Sequence, residues 1–583
     1  MTSTEIPTVP AHERRKGAGR RRSDRIRNYI LRPEVIAGVI VTLGMAYLVL
    51  VPLGFLLHAA FFAGARPSIE FFRKALDDPA FGKIVLDTIF FTVGSTVIAM
   101  VVGLVLAFLA ARTDLPFKSL IFLTAMGPLI LPGILHTIAW ILLASPRAGL
   151  VNEVLASTIG QRPLDIFTVT GMAVVEGLHS APVVFLLMYA AFSSVDPSLE
   201  DSAAASGATR VVVLWRITGP LLKPALLGAL VITLIRSVES FEVPVLLGLP
   251  SGTRVLTSQI WQLLNSYPQD FGQASAYAMV LLIIAVVAVY WQTSSGKNAK
   301  AYQTVTGKGF RPRRMELGKW RWFWLAVVIG YTLLAVVLPL AILVYASLQP
   351  FYTHPTWDGI LNVSFASYHS LLTDSSVLHS AKNSLILGIG AATLVMFTMA
   401  IAAWVSSKSG LRGKMLLEQL AAAPLAIPGL VLGVALLFVY LRVPMGIYGT
   451  MWILLIAYCT RYLPYGFRYA STSMQQIAGE LEESGRASGG SWWQVFRRIS
   501  LPLLMPGLLA GWVYILIVSV RELSSSLLIY SPGNEVLAIK IWQEWQDGQL
   551  SELAALGIVM VISIAVLILI ARKLGSRVGL AER

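Results

Sequence analysis

Glu176 and His179 stand three residues apart in an apolar stretch near 169–193, so a helix there carries both on one face. A second apolar stretch, near 224–248, holds Arg236, Glu239 and Glu242. The later part of the chain has counterparts: Arg461 and Arg468 within 451–474, and Arg521 and Glu522 within 507–530. Ionisable groups in a hydrocarbon setting are costly and face a partner or a water-filled cavity. Opposite signs at equivalent positions of two facing units point to ion pairs across a central interface. Such pairs either line and gate a path for a polar solute or hold a bundle together, and the residues alone leave both readings open. Glu239 and Glu242 also offer hard oxygen ligands to a passing cation.

A resident cofactor is not expected. His12, His58, His136, His354, His369 and His379 form no ligand spacing, and the one cysteine, Cys459, lies inside an apolar run. No G-x4-G-K-[ST] phosphate loop occurs, since the Gly-Lys at 307–308 is followed by Gly309. Nor is there an H-E-x-x-H or a nucleophile elbow. The chain reads as no enzyme, and it has no phosphate loop with which to hydrolyse ATP itself.

The elements that must position these charges are membrane helices. The chain is 56% hydrophobic and only 13% charged, where soluble domains carry about 25% charged residues. Mean hydropathy is +0.70. Stretches of roughly 20 apolar residues can cross a bilayer. They fall near 35–61, 86–111, 118–144, 169–193, 224–248 and 273–292, then near 323–347, 383–406, 415–441, 451–474, 507–530 and 553–571. The prediction is an all-α polytopic membrane protein of about twelve spans. The net charge of +15 gathers at span ends, where it sets orientation, so nucleic acid is not a predicted partner.

A polar tail over 1–34 has nine Lys or Arg between Arg14 and Arg32 and is read as disordered and cytoplasmic. With that tail inside, the basic segments 112–118, 293–322, 408–414 and 572–583 all fall on the same side. The domains follow: a first half over 35–292, a linker over 293–322, a second half over 323–571 and a tail over 572–583. Six spans per half make the halves parallel repeats about an axis along the membrane normal. The third spans repeat too, Pro128 to Gly133 matching Pro424 to Gly429. Two prolines and a glycine predict a bend, either beside a path or as a packing kink.

The clearest repeat is a polar loop. LEDSAAASGATRVVVLWRITGPLLKP begins at Leu199 and LEESGRASGGSWWQVFRRISLPLLMP at Leu481. Gly207 matches Gly489, Ile217 matches Ile499, Pro220 matches Pro502 and Pro224 matches Pro506, all at one separation. Each copy predicts a short helix opened by an acid, Asp201 or Glu483, then a glycine turn, then a second helix entering the next span at proline.

This loop resembles the cytoplasmic EAA loop, E-A-A-x3-G-x9-I-x-L-P, of ABC-importer membrane subunits. Asp201, Ala203, Gly207, Ile217 and Pro220 fill the first copy, and Glu483, Gly489, Ile499, Leu501 and Pro502 the second. Asp201 and Gly219 stand where the pattern has Glu and Leu, and Ser484 and Gly485 replace both alanines. The resemblance implies a permease with both membrane halves fused, loops 199–223 and 481–505 seated on two ATPase subunits, and a periplasmic binding protein delivering cargo. It also implies a bacterial inner-membrane location with both termini cytoplasmic. The phrases SVESFEVPVLLGLPSGTRVLTSQIW and RELSSSLLIYSPGNEVLAIKIW look most like ferric-iron permeases. Thiamine, polyamine and phosphonate permeases share the loop pattern, and an ion-driven secondary transporter is the competing class.

Overall fold

Apolar runs without interior hydrogen-bonding partners must close their backbone bonds locally, and helices do so. In a computed structural model the described residues are 33–64, 66–297, 315–356, 359, 361–408, 413–477 and 479–577. The expected basic tail, the middle of the linker and the last six residues therefore lie outside the described residues. Strand pairing among the described residues is limited to a two-residue ribbon, 62–63 against 66–67, and one bridge, Thr113 with Met315.

The first half runs α1 (Pro33–Phe61), α2 (Phe81–Arg112), α3 (Lys118–Ile130), α4 (Gly133–Ala144), α5 (Val169–Ser194), α6 (Pro197–Ala205), α7 (Gly219–Glu239), α8 (Leu256–Asn265) and α9 (Phe271–Lys297). The second runs α10 (Trp320–Ser347), α11 (Ser375–Lys408), α12 (Lys414–Ala422), α13 (Gly429–Arg442), α14 (Met451–Gln475), α15 (Gly479–Ala487), α16 (Leu501–Val520), α17 (Leu537–Gln546) and α18 (Leu550–Arg577).

Among the described residues nine helices are long and apolar enough to cross a membrane, and two bent pairs raise the number to eleven. The twelfth predicted span is α14, a 25-residue helix that Arg461 and Arg468 make less apolar than the rest. The two predicted bends are breaks, with α3 and α4 meeting at 100° and α12 and α13 at 106°. The cause is local. Leu131 and Ile427 precede proline and turn extended, then Pro132 and Pro428 cap the next helix at φ −53 and −55. The fifth spans also stop earlier than hydropathy suggests, α7 at Glu239 and α16 at Val520.

Close packing uses small residues, since lipid gives helices no hydrophobic drive to associate. A Cβ at Gly103 of α2 would lie 2.6 Å from the Val184 Cβ of α5, and one at Gly177 of α5 2.7 Å from Ile98 of α2. In the second half Gly466 of α14 meets Val395 of α11 in the same way, at 2.6 Å.

The first helix of each half crosses to the other. Tyr47 of α1 bonds Tyr440 of α13 at 3.3 Å, and Arg442 Nη1 donates to His58 Nδ1 at 3.0 Å. Reciprocally, Thr332 of α10 bonds Thr124 of α3 at 2.6 Å. One end of the bundle gathers Arg112, Glu200 and Met315, and the other gathers His58, Glu153, His354 and Arg442. The chain path puts both repeated loops at the Arg112 end.

Candidate functional site

A cavity of about 210 Å³ opens where the breaks of the two halves face each other. Its lining includes Glu176, His179, Arg236, Glu239, Glu242, Arg461, Arg521 and Glu522, eight of the nine ionisable residues singled out in the apolar stretches. Arg468 is exposed and is not among the lining residues.

Five of these side chains are aimed by the end of an element and three by the middle of a helix. Glu176 and His179 come from the middle of α5, Arg236 and Glu239 from the last turn of α7, and Glu242 from the turn beyond it. Arg461 comes from α14, and Arg521 and Glu522 from the turn that ends α16. Two of the four carboxylates, Glu176 and Glu522, are held by hydrogen bonds. Glu176 accepts from Ser180 Oγ at 3.0 Å and Ser240 Oγ at 2.7 Å, tying α5 to the break after α7. Glu522 pairs with Arg461 Nε at 3.2 Å and accepts from Tyr462 OH at 3.1 Å and the Ser525 amide at 3.1 Å.

The two halves are joined at the first break. Arg521 Nη1 donates to the Leu129 carbonyl at 2.9 Å, satisfying an oxygen near the end of α3 where a cation complements the helix dipole. A Cβ on Gly133, the first residue of α4, would lie 3.5 Å from the Glu242 carboxyl carbon. That puts an anion beside the opposite helix end, the N-terminus, which favours negative charge. At the second break Gly429 leaves room for Arg461, whose Nη1 a Cβ there would strike.

Besides Tyr462 and Ser240, a histidine and two further tyrosines escaped the sequence reading. His136, first set aside for lack of ligand spacing, is fully buried with its ring centroid 4.9 Å from that of His179. Neither of its ring nitrogens has a partner among the described residues. Tyr465 and Tyr514 add phenol groups to the lining. The i,i+3 pair Tyr462 and Tyr465 beside Arg461 was a readable signal for a polar helix face. Among the described residues no group of three or more His, Cys, Asp or Glu is arranged to hold a metal ion.

The repeated loops adopt one geometry. Gly207 and Gly489 both take φ +84, a left-handed turn that favours glycine. Asp201 and Ala203 sit on α6 and Glu483 on α15. Ile217 and Ile499 lie in wide helical turns, 214–218 and 496–500, and Pro220 and Pro502 open α7 and α16, with Leu501 the first residue of α16.

The sequence matches the family described as binding-protein-dependent transport system inner membrane component twice, over residues 99–293 and 384–578. The chain belongs to that family. Each match takes in one copy of the loop and one set of cavity-lining residues. A ferric transport system permease protein of Actinobacillus pleuropneumoniae is 27% identical over 73% of this chain, and a putative one of Haemophilus influenzae is 28% identical over 76%. The chain spans 61% and 69% of those two relatives' lengths. A putative 2-aminoethylphosphonate transport system permease protein of Salmonella typhimurium is 29% identical over 42% of this chain and 90% of its own. An ABC transporter structure involved in alginate import aligns at 19% identity over 45% of this chain and 97% of its own, with a TM-score of 0.37.

Proposed function

We propose that the chain is the membrane-spanning subunit of an ATP-driven, binding-protein-dependent importer, with ferric iron as its cargo. The duplicated family match, each copy carrying one loop and one bank of cavity charges, is the observation that supports it. The loops 199–223 and 481–505 engage two ATPase subunits, whose closure rocks the halves about the cavity. An extracytoplasmic binding protein meets the opposite end. Both termini are cytoplasmic, as the basic segments at span ends favour.

Iron is favoured because the iron-permease relatives align over both halves, whereas the phosphonate relative aligns over one half's length. The cavity charges line or gate the path rather than store cargo. Uptake of labelled ferric iron, thiamine, putrescine and 2-aminoethylphosphonate in cells lacking the chain tests the cargo, with iron uptake lost. Unchanged iron uptake beside loss of another solute overturns it. Uptake sustained by an ion gradient with ATP exhausted would instead favour a secondary transporter.

A further inference from the structure

The acid of the loop pattern is Asp201 or Glu483, yet the carboxylate that bonds the foot of the next membrane helix is one residue earlier. Glu200 accepts from Thr218 Oγ1 at 2.6 Å, and Glu482 accepts from Ser500 Oγ at 2.6 Å. The donors sit at equivalent positions, each closing the wide turn that leads into α7 or α16. Thr218, Glu482 and Ser500 are buried, and the Glu200 side chain is 12% exposed. In the first half Glu200 also pairs with the buried Arg112 at the end of α2.

We infer that Glu200 and Glu482 are positioning residues that latch each loop helix to the foot of the following span. The inference rests on the reading that these loops engage the ATPase subunits. A loop helix of nine residues has too few internal bonds to be stiff by itself. Hydrogen bonds to a charged acceptor are stronger than neutral ones, and out of water they resist being exchanged. Displacement of α6 or α15 then moves α7 or α16 as one body instead of bending the linking turn. Arg112 extends the first latch to α2, so the first loop grips two spans. The duplication supports the assignment: the side chains differ, Thr in one half and Ser in the other, and the carboxylate–hydroxyl bond recurs.

The test uses the full complex of this chain with its ATPase subunits and binding protein in proteoliposomes. Thr218→Val with Ser500→Ala removes both hydroxyls while leaving Asp201, Glu483 and the loop surface intact. ATP hydrolysed per cargo molecule taken up should rise about tenfold, the order of effect of losing a hydrogen bond to a charged group. Thr218→Ser with Ser500→Thr should restore the normal ratio. A normal ratio in the hydroxyl-less variant overturns the latch. Hydrogen exchange on the purified chain gives a second readout that needs no assembly. Amides of 197–205 and 479–487 should exchange about tenfold faster in that variant with the transmembrane helices unchanged, and unchanged loop exchange overturns the inference. Faster loop exchange with no crosslink from Ala203 to an ATPase subunit would keep the latch and refute the coupling reading.

Discussion

Arg521 is the side chain through which the second half reaches into the broken helix of the first, and its bond to the Leu129 carbonyl gives it two separable consequences. If it only satisfies that oxygen, Arg521→Ala costs stability and leaves transport per folded molecule unchanged. If it also gates the path with Glu239, its counterpart at the same repeat position, Arg521→Ala and Glu239→Ala each lower transport rate at least tenfold at equal abundance. Full transport in both variants dismisses the gate. Arg461 and Glu522 separate the same way. Arg461→Ala strands the buried Glu522 carboxylate and should destabilise by about 3 kcal/mol or more, read as thermal unfolding in detergent. Eight of the nine ionisable residues singled out in the apolar stretches reach one cavity, Arg468 being the exception, because a charge in an apolar run is visible whatever the fold. His136 was not legible, since its neighbour His179 is 43 positions away and only the meeting of α4 with α5 joins them. Glu200 was hidden by its own motif, which draws the eye to Asp201.

Helices were legible as apolar runs, but their ends were not. The run from Val243 to Gly248 continues the hydropathy of α7, yet the chain turns at Ser240, whose hydroxyl bonds Glu176. Pro244, four residues on, disfavours continuing the helix through Ser240, and the bond to Glu176 holds the turn in place. Small residues inside helices are a different case, readable only as permission for close approach. Gly103→Val should cost about 1–3 kcal/mol, because the new side chain meets Val184 and the Ala181 carbonyl at under 3 Å in a packed interface. Thermal unfolding of the purified variant measures it, and an unshifted midpoint would show that α2 and α5 can part. At the end of the bundle away from the repeated loops, Asp270 precedes α9 and pairs with Lys74 of the short helix Glu70–Leu76. Burial raises the Asp270 carboxyl, but Lys74 and the Gln273 and Gly272 amides outweigh it and hold it below the ordinary carboxylate value. A depressed carboxyl stabilises the folded form above its unfolded value, about pH 4, and loses that contribution as pH falls through the folded value. Asp270→Asn should remove this acid-side loss. The effect is small, roughly 0.2–1 kcal/mol, because Lys74 is more than half exposed.

At the scale of the whole molecule the two repeats are not two bodies laid side by side. α1 packs on α13 of the other half and α10 on α3 and α4, so each half is completed by a helix that the other contributes. The bridge from Thr113 to Met315, with the Asp114 carboxylate accepting from the Leu317 amide at 2.9 Å, fixes the start of α10 against the end of α2. Duplication was readable from the paired loops, but this exchange was not. A first helix is apolar all round, and nothing in its sequence says which half it covers. If the exchange holds the halves, the covalent linker is dispensable for assembly. Fragments 1–305 and 306–583, expressed together, should co-purify in mild detergent as one complex and transport at a rate comparable to the intact chain. The same fragments lacking 1–61 and 306–347 retain the central cavity residues but lose both exchanged helices, and should separate. Co-purification of the shortened pair would show that the charged cavity alone binds the halves together, and failure of the full pair would make the linker a structural member in its own right.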